Sequence, residues 1–264
     1  MLRNVFSKAL WDARRSMFGW TLAVAGVGAL YAAFWPVVDT PEMADAISAM
    51  PADMLAAFNY NDLTTAAGYL GGSVYGLLVP LLVVVFMVAA GTRAVAGDEE
   101  AGTLDLILAH PVGRSRLALH RFAAICVGLV AVVAVLLLLM LAIRVPAQLD
   151  SVPVANLAAM NLQLVLFGAG AGALAFAVGA ATGSKAWALG LGSGVAVLGY
   201  LANSVFPMAE GLEWTRNLSP WHWYLGGDPL VNGLQPANCL LLLAVTAVLV
   251  AAGTWRFTAR DIAV

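Results

Sequence analysis

Six long apolar runs, at residues 17–38, 66–92, 122–143, 157–182, 187–206 and 238–255, alternate with short polar stretches along this chain. Each holds at least the roughly 17 residues that a helix needs to cross a bilayer core about 30 Å thick. The pattern predicts an all-α, polytopic membrane protein with six transmembrane helices, organised as a single domain over residues 1–264. Pro36, Asp39 and Pro41 end the first span. Pro80 predicts a kink or a break in the second, because proline removes an internal hydrogen bond. The fourth span carries Gly168, Gly170, Gly172 and Gly179, and the fifth carries Gly190, Gly192, Gly194 and Gly199. Small residues at such spacing let helix backbones approach closely in lipid, where packing replaces the hydrophobic force.

The polar stretches predict the orientation. Residues 1–16 set Val5, Phe6, Ala9, Leu10 and Ala13 mostly apart from Arg3, Lys8, Arg14 and Arg15. They read either as an amphipathic helix lying on the membrane surface or as simple flanking charge, and both readings mark the cytoplasmic side. The first apolar run extends past the length of a signal core and lacks a convincing cleavage site, so it is expected to remain as a span. Residues 40–65 hold Glu42, Asp45, Asp53 and Asp62 but no Lys or Arg, which places them outside; Met43, Ile47, Met54, Leu55 and Phe58 there predict a short helix or two. Residues 207–237 form a second outer segment, whose Trp214, Trp221, Trp223 and Tyr224 are expected at headgroup level.

Six spans leave 11 of the 13 Lys and Arg residues inside, with only Arg144 and Arg216 outside, and put nine of the 15 acids outside. Both termini are therefore expected in the cytoplasm.

Composition agrees with the pattern. At 62% hydrophobic and 11% charged, the chain is far from a soluble domain, in which about a quarter of residues are charged. Cys126 and Cys239 lie within apolar runs and read as small buried hydrophobes. No Asp, Glu, Lys or His stands at mid-depth in a span, so the titrating group on which proton- or sodium-driven transport depends is missing. Neither H-E-x-x-H nor G-x-S-x-G occurs, and His110, His120 and His222 are scattered, so no catalytic residue and no metal site is expected. Gly183, Ser184 and Lys185 fail the phosphate-loop spacing. Asn161, Gln163, Tyr200, Asn203 and Thr246 are polar within spans; they read as glue between helices or, for the first four, as candidates for a substrate path.

The stretch that breaks the apolar pattern most sharply is residues 97–121, a charged island between the second and third spans. Asp98, Glu99 and Glu100 suit the first turn of a helix, where exposed amides favour negative charge. Leu104, Ile107 and Leu108 continue at helical spacing, Pro111 and Gly113 stop the element, and Arg114, Arg116 and Arg121 follow. The expectation is a short cytoplasmic amphipathic helix with a solvated acidic start.

The run Glu99, Glu100, Gly102, Thr103, Leu104, Asp105, Leu106, Ile107, Leu108, Ala109, Pro111, Val112 and Arg114 resembles the cytoplasmic signature of ABC-2 type transporter permeases. Residues 217–233 also resemble the outer segment before the last helix in some of these permeases. The resemblance implies that residues 97–116 are a coupling segment that meets a separate ABC ATPase subunit, through Asp98, Glu99, Glu100, Gly102, Thr103, Leu104, Asp105, Leu108, Pro111 and Arg114. It implies the permease subunit of an ATP-driven exporter in a cell membrane, paired with a second copy as a homodimer, with ATP and magnesium on the partner. No nucleic acid is expected as a partner. The apolar spans favour a hydrophobic or amphipathic cargo. Other readings are a non-transporting assembly factor or anchor, or a permease serving metalloenzyme maturation.

Overall fold

Long runs of Leu, Val and Ala in lipid leave the backbone no hydrogen-bond partner except itself, and the chain is helical accordingly. A computed structural model describes residues 5–50, 63–104, 107 and 112–261; among these there is no strand, and six helical stretches are long and apolar enough to cross a membrane. Helix α1 spans Val5–Ala33, α2 Leu78–Arg93, the short α3 Ala96–Glu100, α4 Arg114–Ile143, α5 Val154–Thr182, α6 Lys185–Ser204, α7 Pro220–Leu225 and α8 Pro236–Ala259.

Three boundaries differ from the sequence pattern. No separate surface helix covers residues 5–16, because nothing there breaks the helix and α1 runs on into the first span as one element; residues 1–4 lie outside the described residues. In the second span the break precedes the proline. A short helix, Ala66–Tyr69, and a π-helical turn, Leu70–Val74, lead to α2, and Pro80 sits in the first turn of α2, where its missing N–H costs no bond. Gly76 is required at this break, since a Cβ there would lie 2.5 Å from the Gly72 carbonyl oxygen. Helix α4 begins at Arg114, so the basic cluster rides on a rigid helix rather than a loop. The outer helix expected in residues 40–65 is seen as Pro41–Ser48; Asp53, Met54, Leu55, Phe58 and Asp62 lie outside the described residues.

Helix α5 is the centre of the bundle and packs against α2, α4, α6 and α8, whereas α1 leans on α4 and α2 at the periphery. Glycine makes the close approaches. A Cβ on Gly91 of α2 would fall on the Gly172 carbonyl of α5, and one on Gly253 of α8 would lie 2.6 Å from the Ala177 Cα. Gly192 of α6 meets Val88 of α2 and Ala175 of α5. The outward faces of α6 and α8 keep large apolar side chains exposed, Leu198, Leu240 and Val248 among them, as lipid contact allows. The first span starts and the last span finishes at the same end of the molecule, where Val5 and Phe257 belong to one apolar cluster with Leu104 and Leu117. This is the end that carries most of the Arg residues, here called the basic end.

The glycine contacts give a direct test. Gly91→Ala has only backbone to push against and should destabilise by about 1–3 kcal/mol. Gly26→Ala enters open space and should leave the protein no less stable, with a gain of up to about 1 kcal/mol. Thermal unfolding of the detergent-solubilised protein distinguishes the two.

Candidate functional site

At the basic end the three adjacent acids of α3 point in three directions, as residues about 100° apart on a helix must. Asp98 pairs with Arg121 of α4, whose guanidinium also donates to the Ala94 carbonyl at 2.7 Å. Glu99 receives both terminal nitrogens of Arg260, which follows α8; the Nη1 to Oε1 distance is 2.6 Å. Arg260 Nε donates to the Ala180 carbonyl of α5 at 2.8 Å, and its own carbonyl accepts from Arg114 of α4 at 2.8 Å. Glu100 accepts from the Lys185 backbone N–H at 2.6 Å and faces its Nζ at 3.5 Å, at the start of α6. One short helix thus fastens the ends of α4, α5, α6 and α8.

Gly183 makes room for this clamp. Its φ of +73° closes α5 in the left-handed conformation that favours glycine, and a Cβ on it would lie 2.6 Å from Glu99 Oε1. Burial grades the three pairs. The Glu99 and Arg260 side chains are 5% and 9% exposed, while those of Glu100 and Lys185 are 40% and 38% exposed. The first pair is an interior ion pair and the last a surface one.

The acids and the leucines are split between two helical pieces, Leu104 and Ile107 being helical as expected, and of the three acids only Glu99 is withdrawn from water. Helix α3 stops at Glu100, Gly102 reverses the chain at φ +64°, and Thr103 returns its N–H to the Asp98 carbonyl at 2.9 Å. Local dipole arguments omitted three cations that arrive from later in the chain. Gly102 and Thr103 are exposed, Leu104 is buried against Leu117 and Phe257, and Arg114 opens α4. Asp105, Leu106, Leu108, Ala109, His110 and Pro111 lie outside the described residues. One signal for the clamp was present in the sequence: Arg121, Lys185 and Arg260 stand at the basic ends of three different spans and match the acidic run in number.

At the opposite end a re-entrant segment, rather than an aromatic belt, closes the bundle. Trp214 is exposed as a belt residue would be, but Trp221 and Tyr224 of α7 are 1% and 0% exposed. Their polar atoms find carbonyls inside: Trp221 Nε1 donates to Ala196 of α6 at 2.9 Å, and Tyr224 Oη donates to Tyr75 at 3.1 Å. Ser219 Oγ donates to Gly199 at 2.6 Å. Burial and the nearby Arg216 lower the pKa of His222 below the usual imidazole value.

The four substrate-path candidates make separate contacts within the bundle. Asn161 Nδ2 donates to Tyr75 Oη at 2.9 Å and to the Leu157 carbonyl at 2.8 Å, in the manner of interhelical glue. A column of rings continues from that tyrosine: Tyr224 stacks on Phe167 with centroids 4.9 Å apart, Phe167 meets Trp221 edge-on at 5.0 Å, and Trp221 meets Tyr200 at 5.2 Å. Asn203 donates to Ser204 Oγ at 3.1 Å, and Gln163 is fully buried in α5 with neither amide atom hydrogen-bonded. Beside the ring column, an apolar cavity of about 300 Å³ lies between α5, α6 and α8, reached by Phe167, Val195, Trp221 and Leu242.

The family model described as the C-terminal domain of the multidrug efflux system permease Rv1217c matches residues 2–258 of the chain. No curated protein matches it.

The graded burial of the clamp predicts unequal costs. Glu99→Ala strands the Arg260 guanidinium in the interior and should cost about 3–5 kcal/mol. Glu100→Ala removes a surface pair and should cost at most about 1 kcal/mol. Thermal unfolding of both variants checks the order, and the double exchange Glu99→Arg with Arg260→Glu should recover part of the loss.

Proposed function

Because this chain belongs to the family of the multidrug efflux system permease Rv1217c C-terminal domain, we propose that it is an ABC-2 type permease domain exporting a hydrophobic or amphipathic compound at the expense of ATP hydrolysed by a separate subunit. In this proposal the basic end faces the cytoplasm, as the Lys and Arg distribution favours. The clamp is the observation that carries it. A push on α3 is delivered to the ends of α4, α5, α6 and α8 together, through ion pairs and hydrogen bonds rather than through loops. An ATPase pair that closes on ATP supplies such a push, and a bundle with two packings converts it into alternating exposure of its interior.

Within this proposal the docking surface extends the coupling segment that the resemblance implies. Asp98, Glu99 and Glu100 are occupied within the chain, so they position α3, and the contact falls to the exposed residues beside it: Ala101, Gly102, Thr103, Ser115 and Arg116. A second permease copy is supported by α6. Ala186, Gly190 and Gly194 recur at four-residue spacing, and nothing lies within 4 Å of a Cβ built on Gly190 or Gly194.

Reconstitution with a candidate ATPase tests the proposal. Arg116→Glu combined with Thr103→Arg should cut ATP-driven dye export about tenfold, equivalent to about 1.4 kcal/mol, with unfolding unchanged. Unaltered export would reject the docking surface. An ATPase that binds wild-type permease without driving flux would instead favour a non-transporting anchor. For the second copy, Gly190→Cys in a chain lacking Cys126 and Cys239 should form a covalent dimer under mild oxidation, as read by gel mobility.

A further inference from the structure

A second cavity, of about 310 Å³, opens at the basic end between α1, α2 and α4. Its interior is apolar, formed by Met17, Trp20, Phe86 and Ile125, with the Trp20 and Phe86 rings 5.7 Å apart between centroids. At its floor Gly128 makes room for the Met17 side chain, which a Cβ there would meet at 3.3 Å. Four charges line the rim. Asp98 and Arg121 neutralise each other as part of the clamp. The other two, Asp12 of α1 and Arg93 at the last residue of α2, are exposed and make no ion pair among the described residues.

A purely aqueous filling suits this cavity poorly, because water needs several polar partners and the interior offers few. A fully apolar occupant leaves Asp12 and Arg93, two charges of opposite sign, unpaired beside it. Both demands are met by one molecule with an apolar body and a head bearing a positive and a negative group. The volume is at the lower end of ordinary ligand pockets, about 300–1,000 Å³, and accommodates a headgroup with the first part of a chain. We propose that the cavity binds a phospholipid of the leaflet at the basic end whose headgroup is zwitterionic and carries a primary ammonium. Its phosphate sits against Arg93, its ammonium against Asp12, and its proximal chain along Trp20 and Phe86. Net charge decides between headgroups: the rim sums to zero, so a head with net negative charge leaves Asp12 unpaired beside it. The inference rests on the membrane-spanning fold and is independent of ATP coupling.

Delipidated full-length protein, titrated with phosphatidylethanolamine, phosphatidylcholine or phosphatidylglycerol of equal chain length and followed by native mass spectrometry, tests this. One phosphatidylethanolamine should bind about tenfold more tightly than the other two, a gap of the size expected for one charge-assisted hydrogen bond. Asp12→Asn should abolish that preference, and Arg93→Gln should weaken binding of all three. Ala124→Phe, which fills the cavity, should remove the tight site while weaker annular lipids persist; Asp12→Asn lies on the surface and keeps the test valid if the filled variant does not fold. Equal binding of phosphatidylglycerol, or a tight site untouched by both Asp12→Asn and Arg93→Gln, would overturn the proposal.

Discussion

The ion pair between Glu99 and Arg260 is the constraint on which the basic end depends. Two charges that are almost completely out of water are tolerated only when each satisfies the other and the remaining donors find acceptors. Here Arg260 uses its terminal nitrogens on Glu99 and its Nε on the Ala180 carbonyl, and Gly183 gives up a side chain to let the carboxylate in. The flanking acids, Asp98 and Glu100, then have fixed directions, and each reaches a cation on another helix. Binding of this kind specifies position more than it adds stability.

The two ends of the bundle are therefore held by different physics. The basic end is joined by charge, and the opposite end by rings and neutral hydrogen bonds, with Trp221 and Tyr224 tucked against Phe167 and donating to carbonyls of Ala196 and Tyr75. Between them the contact is steric: glycines on α2, α5, α6 and α8 bring backbones together with no polar group to align. A bundle so built is rigid in cross-section at α5 and can change mainly at its ends and its lightly covered flanks, α1, α6 and α8.

Much of this was legible in the chain. Hydropathy alone located six spans, and the glycine spacing announced close packing, because both depend on local pattern. Pro80 marked a real interruption, although sterics placed it at Gly76 and Leu77, before the proline. Long-range partnership was not legible. Nothing near Glu99 in sequence points to a residue 161 positions later. The aromatic residues before the last span looked like a belt because composition cannot tell a ring at the headgroups from one folded back under them. The polar character of Asn161 and Tyr200 was legible, but not that Asn161 bonds Tyr75 or that Tyr200 ends a column of four rings.

Arg260 follows the sixth span, while Glu99 is made before the third. During synthesis the carboxylate must wait, unsatisfied, through the insertion of four more helices. The lock on the basic end thus fastens only after the sixth span is made, and only a chain whose sixth span has inserted in the same sense as the second can fasten it.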